Sequence, residues 1–298
     1  MRLLILGRDG QVGTALTQLL APLGTVVALG RDGADLANPG GLARIVERER
    51  PDVIVNAGAY TDVDKAESEP ELAQLVNADA PAALARAAAD RDAWLIHYST
   101  DYVFDGEKPE PYVEDDATAP LNVYGASKRA GELAVEGVAG KHLILRTSWV
   151  HAPGRSNFIA KILGLAQSRD ELKVIDDQFG APTSARLIAE MTARTIEQIA
   201  HDRPLASGIY HLAAAGETSW RGYASYVVAE ALRRNVTLKV VPDRVLPVPS
   251  AAFPSPARRP RNSRLSTHKL RSALGIDLPD WRADVLVTLD ALLPEATR

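Results

Sequence analysis

Short hydrophobic runs alternate with longer amphipathic stretches through the first half of the chain. The short runs are typical of buried strands, and the stretches between them have the apolar spacing of helices. The predicted strands are Arg2–Leu6, Thr25–Leu29, Asp52–Asn56, Ala93–Ser99 and His142–Thr147. The predicted helices are Gln11–Leu20, Pro39–Arg50, Ala80–Asp90 and Val123–Val135. This alternation predicts an α/β fold with a doubly wound parallel sheet over residues 1–150.

The pattern is looser from residue 151 to residue 298. It predicts helices over Asn157–Gln167, Ala185–Ile199 and Trp220–Arg233, and short strands over Lys173–Ile175, Gly208–Leu212 and Leu238–Val241. Prolines crowd the segment 247–260, which we expect to be irregular and partly extended. We therefore predict a smaller substrate-binding α/β domain at 151–298, with some segments returning to the first domain.

Charge and cysteine content narrow the classes of protein. The 34 lysines and arginines against 38 acidic residues give a net charge of −4, which argues against a general nucleic-acid binder. The chain has no cysteine, and this excludes disulfides, a thiol nucleophile and cysteine-ligated metals. No apolar run approaches the 18 or so residues of a membrane span. We expect a cytoplasmic protein with no nucleic-acid or membrane partner.

A glycine-rich turn follows the first predicted strand and opens the first predicted helix. Gly7 permits a tight turn, Gly10 lets the backbone approach a pyrophosphate, and Gly13 lets the helix pack closely on the sheet. The helix N-terminus supplies free amide donors for phosphates. The spacing is G-x-x-G-x-x-G, and in this strand–turn–helix setting it predicts a Rossmann-type dinucleotide site.

The end of the second predicted strand bears on the choice of nicotinamide cofactor. NAD-preferring sites place a carboxylate there to hold the ribose 2′-hydroxyl, but this chain has Gly30 followed by Arg31. A cation favours a 2′-phosphate, so we expect NADPH to be favoured and NADH to be possible. Arg31 as an ordinary surface charge is the alternative. Asp35 and Leu36 follow closely enough to flank the adenine.

Tyr124 and Lys128 are the strongest chemical signal. Their i, i+4 spacing places both on one helix face. A neighbouring ammonium stabilises a phenolate, so we expect Lys128 to lower the pKa of Tyr124 towards the working range of an acid. Thr100 ends the fourth predicted strand, where its hydroxyl could donate to the same substrate carbonyl oxygen. The three residues predict reduction of a ketone by hydride transfer.

These features together resemble the extended short-chain dehydrogenase/reductase superfamily, and within it the chain closely resembles the dTDP-4-dehydrorhamnose reductases. The resemblance runs from residue 1 to about Leu265. It rests on consecutive motifs: the segments 51–56 (PDVIVN), 63–67 (VDKAE), 97–104 (HYSTDYVF), 121–125 (LNVYG), 146–150 (RTSWV), 178–183 (QFGAPT) and 259–265 (RPRNSRL).

The resemblance implies roles for residues at matching positions. Tyr124 is the implied proton donor, Lys128 holds the nicotinamide ribose, and Thr100 orients the sugar carbonyl. The residues implied to line the dinucleotide are Gly10, Gln11, Val12, Asp35, Leu36, Ala59, Tyr60, Thr61 and Tyr98. Those implied to face the nucleotide sugar are Asp101, Trp149 and Asn157.

The implied reaction is NAD(P)H-dependent reduction of the C4 ketone of dTDP-4-dehydro-β-L-rhamnose, in the biosynthesis of dTDP-rhamnose for cell-surface polysaccharides. Arg258, Arg259, Arg261 and Arg264 stand where they could clamp the dTDP pyrophosphate, since guanidinium groups suit phosphate oxygens.

The sequence departs from its relatives at one metal site. Some relatives bind Mg²⁺ between subunits through acidic residues, but the matching positions here are Ala15 and Arg186, which are poor Mg²⁺ ligands. We therefore doubt a magnesium-bridged dimer and expect a monomer or a weak homodimer.

Two alternatives remain open, and a third is disfavoured. A nucleotide-sugar epimerase shares the fold and the Tyr/Lys pair. A dehydratase would carry Asp-Glu after Thr100, where this chain has Asp101-Tyr102. A non-catalytic regulatory subunit could bind dinucleotide without turnover, although it would not need Thr100, Tyr124 and Lys128 intact.

Overall fold

The fold is that of a computed structural model which describes residues 1–138, 140–154 and 157–293. Residues 294–298, the end of the second predicted domain, lie outside the described residues, as do 139, 155 and 156.

A six-stranded sheet forms the centre of the molecule. Its strand order is β10-β5-β4-β3-β1-β2, and every neighbouring pair is parallel. The strands are β1 (Arg2–Leu6), β2 (Thr25–Leu29), β3 (Val53–Asn56), β4 (Trp94–Thr100), β5 (His142–Thr147) and β10 (Gly208–His211). The predicted Rossmann-type α/β fold is thereby confirmed.

Both faces of this sheet are buried, because successive side chains of a strand point to opposite faces. In β1, Leu3 and Ile5 join one hydrophobic cluster, while Leu4 and Leu6 join another. Helices cover both faces; α1 packs against α8, and α2 packs against α5. The helices are α1 (Gln11–Leu19), α2 (Pro39–Glu49), α3 (Val63–Ala66), α4 (Pro70–Gln74), α5 (Ala80–Ala89), α6 (Val123–Glu136), α7 (Phe158–Ser168), α8 (Ala185–Ala200), α9 (Trp220–Arg233), α10 (His268–Leu274) and α11 (Trp281–Leu292).

Short strand pairs support the second half of the chain. Strand β6 pairs with β9, β7 with β12, and β8 with β11. Their bounds are β6 (Val150–His151), β7 (Leu172–Ile175), β8 (Phe179–Gly180), β9 (Thr183–Ser184), β11 (Thr218–Ser219) and β12 (Val245–Val248). Short helical turns occur at Ala21–Leu23, Leu75–Asp79, Asp101–Val103, Pro242–Arg244 and Ser250–Ala252.

The predicted strand Leu238–Val241 is wrong. The amides of Lys239 and Val240 both donate to the carbonyl of Ala166 at the end of α7, so this segment is bound to a helix and pairs with no strand in the described part of the chain. The strand that pairs with β7 is β12, which contains Pro247 from the segment predicted to be irregular. Proline is tolerated there because a two-stranded sheet leaves one edge free of ladder bonds.

Strand β10 lies well past residue 150 but pairs with β5 in the central sheet. The division into domains at 1–150 and 151–298 stays a prediction, and this strand is one segment that returns to the first. No helix in the described part of the chain has the length and apolar character needed to cross a membrane.

Candidate active site

The start of α6 is fixed at the carboxyl edge of the sheet by Asn122. Its side-chain oxygen accepts from the amide of Gly125 at 2.8 Å, which caps the helix. Its amide nitrogen donates to the carbonyl of Arg258 at 2.7 Å. One asparagine therefore joins the helix that carries Tyr124 and Lys128 to a loop 136 residues further along the chain.

Thr100 and Tyr124 meet at this edge, as predicted. The hydroxyl of Thr100 donates to Oδ1 of Asp101 at 3.1 Å and lies close enough to the phenol of Tyr124 to act on its pKa. The ring of Tyr102 packs edge-on against Tyr124, with ring centroids 5.6 Å apart. Both oxygens can therefore reach one carbonyl oxygen placed between them.

Burial raises the pKa of Tyr124 to about 12; the charge of Asp101 acts in the same direction, and the hydrogen bond from Thr100 acts against it. The expectation that Lys128 lowers this pKa is wrong for this structure. The ammonium group is directed elsewhere, and removal from water disfavours the phenolate more than any neighbour favours it. The phenol consequently remains protonated at neutral pH, which is the form a proton donor needs.

Lys128 is buried on the same helix. Its Nζ donates to the carbonyl of Tyr98 at 2.6 Å and lies 3.3 Å from Nε2 of His97. Burial lowers the pKa of Lys128 to about 8, while the charge of Glu132 acts in the opposite direction. The amine is thus held in place and titrates much nearer to neutral pH than an exposed lysine does.

Asp101 adds a buried carboxyl group beside Thr100. Burial raises its pKa to about 6, against the lowering effect of hydrogen bonds from Ser263 and Thr100. Its Oδ2 has no hydrogen-bond partner among the described residues. One oxygen therefore remains able to accept from a bound hydroxyl group.

The glycine turn has the shape that a pyrophosphate requires. Gly7 has φ of 81°, and a Cβ there would lie 2.5 Å from the amide nitrogen of Gly58. A Cβ on Gly13 would lie 2.0 Å from the carbonyl oxygen of Gly7. Gly10 precedes α1 and supplies no side-chain cap, so the first amides of the helix are left for a ligand. The residues present fit a dinucleotide.

The end of β2 differs from the expectation in one respect. The guanidinium of Arg31 is largely exposed, 3.6 Å from Asp35. A second cation, Arg8, lies 3.2 Å from Asp32 and 3.3 Å from Asp9. A Cβ on Gly30 would lie 2.0 Å from Oδ2 of Asp9. The carboxylate of Asp9, in the glycine turn, therefore lies at the end of β2, where the strand has no acidic side chain of its own. Gly30 itself supplies no carboxylate, as the sequence indicates, but the carboxylate of Asp9 lies beside it.

The other predicted cofactor residues lie around the ends of β2 and β3. Leu36 is buried against Gly58, and Asp35 accepts from the amide of Ala37. The backbone of Tyr60 is held by Asn77 at 2.9 and 3.0 Å. Gln11 has a buried side-chain oxygen with no partner in the described chain. Val12 is partly buried at the start of α1, and Ala59 and Thr61 flank Tyr60.

The side chain of Tyr98 lies on the opposite face of β4 from Lys128. Its hydroxyl is hydrogen-bonded to Thr192 of α8 at 2.7 Å, and burial raises its pKa. That Tyr98 lines the dinucleotide stays a prediction; its backbone carbonyl, which binds Lys128, is the part on the active-site side.

A cleft of about 970 Å³ lies beside this edge. It is bordered by α7, by β7 and by the loop 250–261. The arginines Arg258, Arg259 and Arg261 line it, together with Gln178 and Trp220. Arg264 is not among its lining residues and pairs with Glu217 at 2.8 Å, so three of the four predicted arginines are brought together.

These arginines differ in their partners. Arg258 is exposed and lies 3.3 Å from Glu107. Arg259 is half-buried, binds Asp64 at 2.8 Å and is hydrogen-bonded to Tyr102. Tyr102 packs on Tyr124 and lies near Arg259, so it stands between the cleft and the catalytic edge.

Trp149 stacks on Trp220 with ring centroids 3.7 Å apart, and Trp220 donates to Gln178 at 3.2 Å. The backbone of Trp149 has φ of 48°, an uncommon value for a bulky residue. A Cβ on Gly180 would lie 2.7 Å from the Trp149 ring, so the glycine of the segment 178–183 makes room for it. Trp149 is thus part of the wall next to the cleft.

Asn157 caps α7. Its oxygen accepts from Ala160 at 3.1 Å, and its amide donates to Ala152 at 2.6 Å. The structure gives this side chain a capping role, which the sequence had offered as the alternative to a substrate contact.

The positions matched to a metal site carry no obvious ligands. Arg186 pairs with Glu190 at 2.7 Å, and Ala15 lies on α1, which packs against α8. Within the described ranges, no group of three His, Asp or Glu side chains is arranged to hold a metal ion.

Several site residues were missed from the sequence. Tyr102 packs on Tyr124, and Asn122 binds the backbone of Arg258, which lines the cleft. His97 contacts Lys128. Asn122 carried a usable signal, since an asparagine directly before a helical pattern is a typical N-cap. His97 and Tyr102 carried none, because their roles depend on which face of a buried strand or turn they occupy.

Comparisons with known proteins agree on one family. Residues 1–293 match the family described as RmlD substrate binding domain. The chain is 50% identical to the dTDP-4-dehydrorhamnose reductase of Shigella flexneri over 98% of each chain. It is 48% identical to that of Burkholderia thailandensis, covering 99% of this chain and all of the relative. The crystal structure of the Bacillus anthracis dTDP-4-dehydrorhamnose reductase in complex with NADP superimposes with a TM-score of 0.86 at 33% identity, covering 97% of this chain and 98% of that one.

Proposed function

Since the chain belongs to the dTDP-4-dehydrorhamnose reductase family, we propose that the site at the carboxyl edge of its sheet reduces the C4 ketone of dTDP-4-dehydro-β-L-rhamnose. The protein is an NAD(P)H-dependent oxidoreductase, and its product is dTDP-β-L-rhamnose. The single observation that carries this function is the buried, protonated phenol of Tyr124 next to the Thr100 hydroxyl, with Lys128 held one helical turn away.

The chain's own residues supply the proton and the orientation of the substrate. Thr100 donates to the carbonyl oxygen and polarises it, since a fixed donor at this point favours the alkoxide that develops. Tyr124 then gives its proton to that oxygen. Lys128 lies one helical turn away with its Nζ bound to the carbonyl of Tyr98, and burial keeps the phenol protonated until this step.

A nicotinamide cofactor supplies the hydride when it is bound. Gly7, Gly10 and Gly13 would hold its pyrophosphate, and Lys128 its ribose. We favour NADPH over NADH because both Arg8 and Arg31 lie near the end of β2, where a 2′-phosphate would be recognised. Asp9 and Asp32 lie beside Arg8, and a carboxylate can accept from the ribose hydroxyls. We therefore propose that NADH is also bound.

The cleft is the proposed binding place of the dTDP group. Arg258, Arg259 and Arg261 line it with guanidinium groups, which match phosphate oxygens in charge and geometry. Asp101 and Trp149 are proposed to contact the sugar near Thr100. Asn157 is kept as a cap rather than as a contact.

The dehydratase alternative lacks what its chemistry needs. Tyr102 follows Asp101, in the place where a dehydratase would have a glutamate, and burial raises the pKa of this tyrosine. A phenol in that state is a poor base for removing a proton from carbon. The cytoplasmic location and the monomeric or weakly dimeric state stay predictions of the sequence.

The decisive experiment mixes the purified protein with dTDP-4-dehydrorhamnose and NADPH and follows the absorbance of the reduced nicotinamide. We expect the absorbance to fall in proportion to the rhamnose nucleotide formed, with a slower or equal rate for NADH. A protein that binds NADPH but leaves its absorbance unchanged with the keto sugar would be a binding subunit instead. UDP-glucose with NAD⁺ tests the epimerase alternative, and we expect no conversion.

A further inference from the structure

The glycine turn after β1 is bound to the end of β2 through its backbone. The amides of Gly7 and Arg8 both donate to the carbonyl of Leu29, at 3.0 and 3.2 Å. The amide of Gly10 donates to the carbonyl of Gly7 at 3.0 Å. Asp9 lies between two residues whose amides are bound in this way, so its side chain leaves the turn from a fixed point next to β2.

The carboxylate of Asp9 occupies the space of a side chain at Gly30. A Cβ on Gly30 would lie 2.0 Å from Oδ2 and 3.1 Å from Cγ of Asp9. Gly30 directly follows β2, where NAD-preferring Rossmann domains have the acidic residue that binds the 2′-hydroxyl of the adenosine ribose. Only one of these two positions can place a carboxylate there, and in this chain it is Asp9.

The charges around this point do not by themselves favour a phosphate. The guanidinium of Arg8 lies 3.3 Å from Oδ1 of Asp9 and 3.2 Å from Oδ2 of Asp32. The guanidinium of Arg31 lies 3.6 Å from Asp35. Two guanidinium groups thus face three carboxylates, and a 2′-phosphate must compete with these carboxylates for Arg8 and Arg31.

We propose that Asp9 is the residue that allows this protein to bind NADH. Its Oδ2 accepts from the 2′-hydroxyl of the adenosine ribose, as the strand-end acid does in other Rossmann domains. When NADPH binds, its 2′-phosphate is repelled by this carboxylate and is paired with the neighbouring Arg8. Two consecutive residues of the glycine turn therefore favour different cofactors.

This assignment deepens the proposed function and rests on it only for the binding of a nicotinamide dinucleotide at the glycine turn. The competing explanation is that Asp9 is a surface partner of Arg8 and makes no contact with the ribose. The two explanations differ in what removal of the carboxylate does to NADH. Loss of a contact weakens NADH binding, whereas loss of a surface ion pair leaves it unchanged.

Three variants separate these explanations. Asp9→Ala removes the carboxylate. The double variant Asp9→Ala/Gly30→Asp returns a carboxylate to the same space from the strand side. Gly30 can accept this change because its φ is not positive and the atoms nearest to the added Cβ belong to the side chains of Asp9 and Asp32. Asp32→Ala is the matched control, since it removes the other carboxylate that is paired with Arg8.

The measurement is a fluorescence titration of NADH and of NADPH into the full-length protein without the keto sugar. We expect the Kd for NADH to rise about tenfold in Asp9→Ala, because a hydrogen bond to a charged acceptor is lost. The Kd for NADPH should fall about twofold to threefold, because Arg8 then has one carboxylate fewer beside it.

The double variant should return the Kd for NADH to within about threefold of that of the unmodified protein, and it should raise the Kd for NADPH above that of Asp9→Ala. Asp32→Ala should tighten NADPH binding in the same way as Asp9→Ala, and it should change the Kd for NADH by less than about threefold.

Three results would overturn the proposal. They are an unchanged Kd for NADH in Asp9→Ala, an equal loss of affinity for both cofactors in that variant, and the same loss of NADH affinity in Asp32→Ala. If the double variant does not fold, Asp9→Ala and Asp32→Ala decide. The titrations contain no keto sugar, so the expected affinities together with no NADPH oxidation would refute the proposed function and leave the role of Asp9 standing.

Discussion

The catalytic edge and the adjoining cleft are built in different ways. At the edge, Thr100 and Tyr124 come from the end of β4 and the first turn of α6, and their contacts are buried. The cleft is assembled from α7, β7, Trp220 and the loop 250–261, which are far apart in the chain and partly exposed. The chemistry is thus placed on two neighbouring buried elements, while the binding surface is assembled from several partly exposed segments.

Burial makes the two regions electrostatically different as well. At the edge it moves the pKa of Tyr124 to about 12 and that of Lys128 to about 8. In the cleft, Arg258 and Arg259 are paired with carboxylates and are more exposed than the groups at the edge. Changes at the edge should therefore act on kcat or on pH dependence, and changes in the cleft on KM.

The largest expected effect is that of Tyr124→Phe. Loss of a positioned proton donor costs on the order of 10² to 10⁴ in rate, so we expect kcat to fall by about that factor. The KM values for NADPH and for the keto sugar should change little, because the ring still packs on Tyr102. Steady-state kinetics measure this, and a kcat within threefold or so of the unmodified enzyme would remove Tyr124 from the donor role.

Asp101→Asn tests burial at the edge through stability. The folded pKa of about 6 lies above the ordinary value of 3.8, so the native state binds more protons and loses stability as pH rises from about 4 to 6. The asparagine variant has no such loss. Its advantage should therefore grow over this range by up to about 3 kcal/mol, as two pKa units imply.

Urea denaturation at a series of pH values measures the difference between the two proteins. His97, His151 and His211 have lowered pKa values and act in the opposite direction, but they are common to both proteins and cancel in the difference. A difference independent of pH would show that Asp101 is not a perturbed acid.

Arg258→Met tests the cleft. A hydrogen bond from a charged group contributes about 1.5 kcal/mol or more, so we expect KM for the dTDP sugar to rise about tenfold with kcat nearly unchanged. Arg244→Met removes the same charge from an exposed residue that does not line the cleft. Equal effects of the two substitutions would point to general electrostatics instead of a contact.

Asn122→Ala tests the link between the regions and has the smallest expected effect. Loss of the helix cap should lower the free energy of unfolding by about 1 kcal/mol. Loss of its bond to the carbonyl of Arg258 should loosen the loop and raise KM about twofold to threefold. Asn122→Ser keeps a cap and separates the two effects, since it should restore stability but not KM.

The sequence predicted the sheet well because its hydrophobic runs are short, strong and bounded by glycine or proline. It also brought Thr100, Tyr124 and Lys128 to one edge, since strand ends and a helical i, i+4 spacing fix those positions. It could not predict the direction of the pKa shift at Tyr124. The i, i+4 spacing shows that the amine of Lys128 lies on the same helix face as Tyr124. It does not show that burial has the larger effect on the Tyr124 pKa, or that the amine contacts Tyr98 and His97.

The other features that the sequence could not show have the same origin. Tyr98 lies in a strand buried on both faces, where polarity does not show which face a side chain takes. Asp9 lies beside Gly30 although it belongs to a different turn. A contact between two loops produces no periodic pattern in the sequence. The segment 238–241 has the composition of a strand, but the amides of Lys239 and Val240 donate to a carbonyl of α7.

Calorimetric titration of dTDP into three proteins tests the separation of chemistry from binding most directly. The account predicts that Tyr124→Phe binds dTDP with the affinity of the unmodified protein, while Arg258→Met binds it about tenfold more weakly. Weakened binding in Tyr124→Phe together with normal binding in Arg258→Met would contradict it.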